Sequence, residues 1–199
     1  LGSDINIVNE YLNNIFNTIL LKDVVARYNV RNVKFLESLV LFLADNTGSL
    51  VSAKKISEYL KSQKINISTQ VVIDYIGYLE SSFMIHRVRR TGIRGNRLFE
   101  IGEKYFFGDT GIRNVIAGYN LADVHKMLEN IVFLHLRIAG YEVTVGSENG
   151  KEIDFIASRG GEKIYVQVAY LLETPETAER EFGNLLEIRD NYPKYVVTM

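Results

Sequence analysis

The chain of 199 residues contains no cysteine, no tryptophan and only two prolines. The lack of cysteine excludes disulfide bonds and thiolate metal sites. No apolar run approaches the roughly 20 residues that cross a bilayer, and no basic-then-apolar leader opens the chain, so we expect a cytoplasmic protein with no membrane partner. The net charge of -1 gives no overall attraction to nucleic acid. Any such attraction must therefore come from a local patch of positive charge.

Helical spacing of apolar residues dominates the first eighty positions. The predicted helices span residues 4–19, 33–45, 53–62 and 70–80, and the first continues as a short helix from Lys22 to Arg27 that ends near Tyr28 and Asn29. Ser52 and then Ser68 or Thr69 stand where helix N-caps are expected. A strand over residues 84–90, a turn at 92–95 and a return strand over 97–101 follow. Three helices and a β-hairpin are the plan of a winged helix, with the helix-turn-helix between Ser52 and Glu80.

The second half of the chain mixes helices with strands, which predicts an α+β protein with a central mixed sheet. We expect Asp109 to cap a helix that runs to about Ile116, although a polar contact at a domain junction is the alternative. The later predicted elements are a buried helix over 122–139, strands over 141–145, 152–157 and 163–170, a helix over 176–188 and a strand over 195–198.

Three polar residues stand out within these elements: Glu129, Asp154 and Gln167. Glu129 lies in an apolar helix, where a carboxylate is costly without a partner. Alternation in the strand over 152–157 places Glu152 and Asp154 on one face. The order of helix and strands from Glu129 to Ala169 is similar to the core of the PD-(D/E)XK nuclease-like fold. That resemblance implies a metal pocket in which Glu129 and Asp154 would bind Mg²⁺ and the amide oxygen of Gln167 would be a weak third ligand.

The lysine that activates water in such nucleases would occupy position 169, which is alanine here. Lys151 and Lys163 lie nearby in the sequence, and neither is preferred on geometric grounds. Because Ala169 can neither orient nor stabilise a hydroxide, we predict a degenerate catalytic site of Glu129, Asp154 and Gln167. A divalent-metal nuclease using Glu129 and Asp154 is the alternative. Arg180 lies in the middle of an acid-rich helix within residues 173–187, and we expect that face of the helix to be solvated. The alternative is that Arg180 points inward and pairs with Glu129 or Asp154.

Five arginines cluster in the predicted hairpin, and no acidic residue occurs between Glu80 and Glu100. They are Arg87, Arg89, Arg90, Arg94 and Arg97. Such a wing suits the phosphate backbone of DNA. The preceding helix over residues 70–80 contains Asp74 but no lysine or arginine, so base reading by that helix is not expected. The alternative is a protein–protein spacer whose arginines meet acidic residues elsewhere.

Six ordered motifs, which together span nearly the whole chain, carry a more specific resemblance. They are the runs Lys22–Arg27, Lys104–Gly111, Leu128–Asn130, Glu152–Phe155, Tyr165–Tyr170 and Glu179–Phe182. Together they resemble the C-terminal half of AAA-type bacterial and archaeal ATPases that end in a nuclease-like domain of unknown function. The resemblance implies a P-loop ATPase domain preceding this chain, which itself lacks the G-x-x-x-x-G-K-[ST] motif and would meet ATP only through that domain.

These observations predict three segments. Residues 1–30 form junction helices toward the ATPase domain, residues 31–107 a winged-helix domain, and residues 108–199 a nuclease-like domain. The expected function is recognition of a partner, DNA above all, by the non-motor region of an ATPase, with no cofactor bound in this chain itself. Besides DNA recognition and a divalent-metal nuclease, the third alternative is a structural module that forms homo-oligomers.

Overall fold

The computed structural model describes residues 2–92, 102–148, 151–171 and 174–199, without the side chains of residues 2, 3, 148, 177, 178, 180 and 181. The described residues form seven α-helices and a six-stranded mixed sheet, which confirms the α+β class. Residues 93–101, which hold most of the predicted turn and the return strand of the hairpin, lie outside the described residues.

The helices follow the predicted spacing closely. They are α1 (Gly2–Thr18), α2 (Val33–Asp45), α3 (Ala53–Ser62), α4 (Thr69–Ser81), α5 (Thr110–Ala117), α6 (Val124–Ile138) and α7 (Pro175–Leu186). The strands are β1 (Ile85–Gly92), β2 (Glu103–Phe107), β3 (Glu142–Glu148), β4 (Lys151–Arg159), β5 (Glu162–Val168) and β6 (Lys194–Val197).

The chain groups into two compact units that interleave along the sequence. The first unit comprises residues 1–87 and 105–119, and the second comprises residues 88–104 and 120–199. Strands β1 and β2 each contribute residues to both units. The predicted domain boundaries after residues 30 and 107 stay predictions.

The core of the first unit is apolar and helical. Its centre includes Phe35, Leu39 and Leu43 of α2, with Ile56 of α3 and Ile76 of α4, all of which are almost completely buried. These positions recur at helical spacing, so each helix places one apolar stripe on the common core. Burial of such side chains is the main term that stabilises the unit.

Side-chain caps define where the helices of this unit begin. The side chains of Asn32, Ser52 and Ser68 accept hydrogen bonds from backbone N–H groups in the first turns of α2, α3 and α4. Asp109 does the same for α5 by accepting from the N–H of Ile112 at 2.8 Å. The predicted cap at Asp109 is therefore confirmed. Each cap satisfies a donor that the helix itself leaves unpaired.

The first helix of this unit continues, as the sequence predicted. After α1 the chain runs directly into a helical segment, Ile19–Ala26, whose π-helical form was not predicted. Leu20 and Val24 of that segment are buried in the core of the unit. Because their apolar contacts continue without interruption, the polar residues Lys22 and Asp23 between them do not end the helix.

In the sheet the strand order is β2-β1-β3-β4-β5-β6. Strands β3, β4 and β5 pair antiparallel, whereas β1 with β3 and β5 with β6 pair parallel. The β3–β4 register shifts between Thr144 and Gly146, where a Cβ on Gly146 would lie 2.9 Å from Cβ of Ile153. Glycine at this position therefore permits the close approach of the two strands.

Candidate functional site

A buried lysine lies at the centre of a cluster of charged side chains in the second unit. Lys104 of β2 has a side chain that is only 4% exposed. Its Nζ lies 2.7 Å from Oε1 of Glu129, 2.8 Å from Oε1 of Glu152 and 3.5 Å from Oδ1 of Asp154. We call these four residues the Lys104 cluster. A buried ammonium requires such partners, because an unpaired charge in the interior is very costly.

Three elements supply the carboxylates and the lysine. Glu129 comes from α6, Glu152 and Asp154 from β4, and Lys104 from β2. Glu152 and Asp154 are two residues apart on one strand, so the pleat directs both side chains to the same face, as alternation predicted. Glu152 is the most exposed of the three acids, at 33%, and connects the cluster to solvent.

Gln167, the third residue predicted for the site, lies directly beside Asp154. The backbone pairing of β4 with β5 ends at Phe155 and Val166. Beyond that pair, Oε1 of Gln167 accepts from the N–H of Asp154 at 3.3 Å, and Oδ2 of Asp154 accepts from the N–H of Val168 at 2.8 Å. Side chains thus replace backbone bonds where the strands part, and they fix the orientation of the Asp154 carboxylate.

The cluster holds three carboxylates for one ammonium, and this excess of negative charge shifts the proton affinities. Burial alone would lower the pKa of Lys104, but the charges of Glu129, Asp154 and Glu152 outweigh it and hold the pKa above its ordinary value. Burial raises the pKa of Glu129 to about 7, and the Asp154 and Glu152 charges add to that effect against the opposing Lys104 ammonium. Near neutral pH the cluster can therefore take up or release a proton.

The lysines that the sequence suggested lie elsewhere in the second unit. Lys151 pairs with Glu187. Lys163 donates to the hydroxyl of Tyr165 at 3.1 Å, and that hydroxyl donates in turn to Asp190. Position 169 is a buried alanine. The side chain of Arg180 lies outside the described residues.

Sequence reasoning missed Lys104, although a signal for it was present. Lys104 precedes three buried aromatic residues in an extended run, and Glu129 lies in an apolar helix 25 positions later. Two opposite charges, each embedded in apolar sequence, both need a buried partner. That need could have paired them, but it could not have specified Glu152 and Asp154 as well.

A divalent cation does not fit the cluster while Lys104 remains in place. The ammonium lies between the carboxylates that would have to be ligands, at distances of 2.7–3.5 Å. Across the part of the chain that the structure describes, no three acidic or histidine side chains are arranged to hold a metal ion.

The arginines of the predicted wing that are described have partners within their own unit. In the first unit, Arg87 forms an ion pair with Glu80 at 2.9 Å. In the second, Arg90 donates to the hydroxyl of Ser147 at 3.1 Å, and Arg89 lies 3.8 Å from Glu103 with a side chain that is 73% exposed. Arg94 and Arg97 lie outside the described residues. Arg89 is thus the described wing arginine most accessible to a ligand.

Comparison with known proteins identifies a family and two relatives. Residues 3–123 match the domain of unknown function DUF8612. The chain is 42% identical to an uncharacterized protein of Haemophilus influenzae over 187 residues, which cover 94% of this chain and 46% of that protein. It is 28% identical to an uncharacterized protein of Methanocaldococcus jannaschii over 176 residues, which cover 85% of this chain and 38% of that protein.

The chain therefore spans less than half the length of the two curated relatives. No solved structure matches it significantly. Among the residues described, no helix has the length and apolarity needed to cross a membrane.

Proposed function

We propose that this chain, which belongs to the DUF8612 family, is a non-catalytic interaction module, the C-terminal region of a P-loop ATPase. In this proposal a winged helix precedes a PD-(D/E)XK-like domain whose former metal pocket no longer cleaves nucleic acid. The partner we propose is DNA.

The position of the Lys104 ammonium is the observation that carries the non-catalytic part of the proposal. It contacts all three carboxylates and is itself almost fully buried. The ammonium pairs with the acids but offers none of the open coordination positions that metal-assisted hydrolysis requires. The Lys104 cluster then acts as a structural connection between β2, α6 and β4.

A plasmid-nicking assay tests this directly. Wild type, Asp154→Asn and Glu129→Gln are incubated with supercoiled plasmid and Mg²⁺ or Mn²⁺. We expect the same background for all three proteins, since none carries a functional metal site. Cleavage by wild type that both variants lose would contradict the proposal.

A divalent-metal nuclease that uses Glu129 and Asp154 is the second candidate. The observation in its favour is that an ammonium does lie beside both carboxylates, although it comes from Lys104 and not from position 169. This candidate requires Lys104 to move away from the carboxylates before a metal binds. It predicts that Lys104→Met abolishes nicking, whereas the first proposal predicts no nicking to abolish.

The DNA part of the proposal is supported by cationic side chains at the surface, and the wing supplies Arg89. Helix α4 contributes no basic residue, and its Gln70 amide instead donates to Asp74 at 2.9 Å. Contacts to phosphates are therefore expected to dominate contacts to bases, which predicts binding that depends weakly on sequence and steeply on salt. Fluorescence anisotropy with a short labelled duplex at increasing salt measures this. Binding that is insensitive to salt would exclude the mechanism.

The ATPase part is supported by the length of the relatives, of which the chain covers 46% and 38%. More than half of each relative is thus free to form another domain. Purified full-length Haemophilus influenzae protein should hydrolyse ATP, and an inactive protein that also fails to bind ATP would count against the proposal.

Light scattering across a range of concentrations, with and without DNA, tests the third alternative, a module that only forms homo-oligomers.

A further inference from the structure

Helix α3 presents a cationic surface that the proposed function leaves unassigned. Four lysines on or directly after this helix are exposed, and we call them the α3 lysine face: Lys54, Lys55, Lys61 and Lys64. The only acidic residue between positions 46 and 73 is Glu58, which is exposed and lies 3.9 Å from Lys54. Among the described residues, the other three lysines have no acidic partner.

The core of the first unit holds this helix in a fixed orientation. Ile56 and Leu60 are completely or almost completely buried, and the Ser57 hydroxyl donates to the carbonyl of Ile67 at 2.6 Å. Since Ile56 and Leu60 are already used inside the unit, Tyr59, which is 47% exposed, is the large apolar side chain that α3 leaves at the surface, and one such side chain gives little apolar area with which to enter a lipid surface. The lysines form a polar surface for an anionic partner that need not supply apolar contacts.

Lys64 occupies a backbone conformation that normally favours glycine. Its φ is 64°, in the left-handed region. The N–H of Lys64 donates to the carbonyl of Lys61, and the N–H of Ile65 donates to that of Leu60, which together form a Schellman motif at the end of α3. A lysine at this position carries strain that glycine would avoid, and its ammonium extends the lysine face beyond the helix. Phe83 occupies the same position after α4, with a φ of 57°.

We propose that the α3 lysine face is a docking surface for the phosphate backbone of duplex DNA. The inference rests on the proposed DNA-binding function and names the surface that performs it. Each exposed lysine can neutralise one phosphate and release a counterion, and only Lys54 of the four has an acidic side chain close to it among the described residues. A repeating line of phosphates complements several exposed ammonium groups, whereas stable protein interfaces usually contain an apolar centre.

The salt dependence of binding by the full chain gives the first measurement. With a short labelled duplex, four lysine–phosphate contacts predict a slope of about -3.6 in a plot of log K against log salt, because each contact contributes about -0.9. Lys61→Gln should reduce the magnitude of the slope by about 0.9 and lower the affinity about fivefold or more near 0.1 M salt. Glu58→Gln should raise the affinity by about twofold or more, because it removes the acid from the face.

Lys64→Gly distinguishes an effect on DNA binding from an effect on the stability of the fold. It should weaken binding by a factor similar to that of Lys61→Gln, while relief of the left-handed strain raises the melting temperature by about 2 °C. Phe83→Gly is the matched control, because it relieves the same strain after α4 and removes no charge. It should raise the melting temperature and leave the affinity for DNA unchanged.

The outcomes distinguish this surface from the proposed function itself. If Arg89→Gln abolishes binding while Lys61→Gln and Lys64→Gly bind as tightly as wild type, the α3 surface is wrong and DNA binding by the wing stands. If wild type shows no salt-dependent binding to the duplex, both proposals fall. Wild type that binds vesicles containing anionic lipid at the same salt, but not the duplex, would also overturn the α3 proposal.

Discussion

Lys104 of the second unit and the lysines of α3 in the first unit lie in opposite environments. In the second unit Lys104 is buried and contacts three carboxylates, whereas the lysines of α3 in the first unit are exposed and face a single glutamate. A buried ammonium is bound to its site by its partners and cannot be removed without leaving charges unpaired. An exposed ammonium costs the fold almost nothing and stays available to a ligand. Lysine is thus structural at position 104 and accessible to a ligand on α3.

The largest expected effect comes from Lys104→Met. It leaves three acids without their cation, and we expect a loss of about 3–5 kcal/mol in the free energy of unfolding. The matched variant Lys61→Met removes an exposed charge and should change it by less than about 0.5 kcal/mol. Urea denaturation of the full chain measures both. Similar losses for the two variants would remove the contrast between the units.

The pH dependence of stability sharpens the same contrast. The pKa of Glu129 is raised to about 7 in the folded protein from an ordinary value of 4.5. The folded protein therefore keeps a proton that the unfolded chain releases, and stability falls as pH rises between these two values, by up to about 3 kcal/mol. Urea titrations at a series of pH values should show this fall in wild type and a flatter profile in Glu129→Gln. A wild-type profile as flat as that of the variant would contradict the pKa shift.

Gly146→Ala tests whether the close approach of β3 and β4 requires glycine at this position. The new methyl group would lie 2.9 Å from Cβ of Ile153, next to the strand residues that carry the cluster acids. Overpacking of this kind costs about 1–3 kcal/mol. Gly183→Ala is the control, because among the described residues no atom outside its chain neighbours and its own helix backbone lies within 4 Å of a Cβ there. Thermal unfolding that separates the two variants by several degrees would agree with this expectation, and equal melting temperatures would not.

The smallest effect concerns the ends of helices in the first unit. Phe83 has a left-handed backbone and a side chain that is 75% exposed, so it gains little from packing. Phe83→Gly should stabilise the protein by up to about 1 kcal/mol. Asn29 has a φ of 54°, but asparagine tolerates this region, so Asn29→Gly should have little effect. Denaturation midpoints measure both, and a destabilised Phe83→Gly would mean that the exposed ring makes a contact that matters.

Local patterns predicted most of the helices and strands. Apolar spacing located α2, α3 and α4 to within one residue of their observed ends, and Asp109 was identified as the cap of α5. These features depend on neighbours only a few positions apart, which the sequence displays directly. The continuation after α1 was predicted as a short helix, but its π-helical form was not.

The sequence predicted the polar residues of the candidate site but not the lysine that pairs with them. Glu129, Asp154 and Gln167 were selected from the order of the elements, and the structure places Asp154 against Gln167 and both Asp154 and Glu129 around one ammonium. The sequence did not predict that Lys104 supplies this ammonium. Lys151 and Lys163 are nearer in sequence, but they have other partners. Sequence proximity did not decide the partner, because strand pairing and helix packing bring distant residues together.

The amino-acid sequence by itself determined the α+β class, the caps, the alternation that directs Glu152 and Asp154 to one face, and the one-sided charge of α3. Each of these depends on residues close together along the chain. Only the tertiary structure decided that Lys104 completes the cluster, because it depends on where β4 and β5 part and on how α6 and β2 approach them. A buried charge selects its partner by distance in space, and a one-dimensional pattern does not contain that distance.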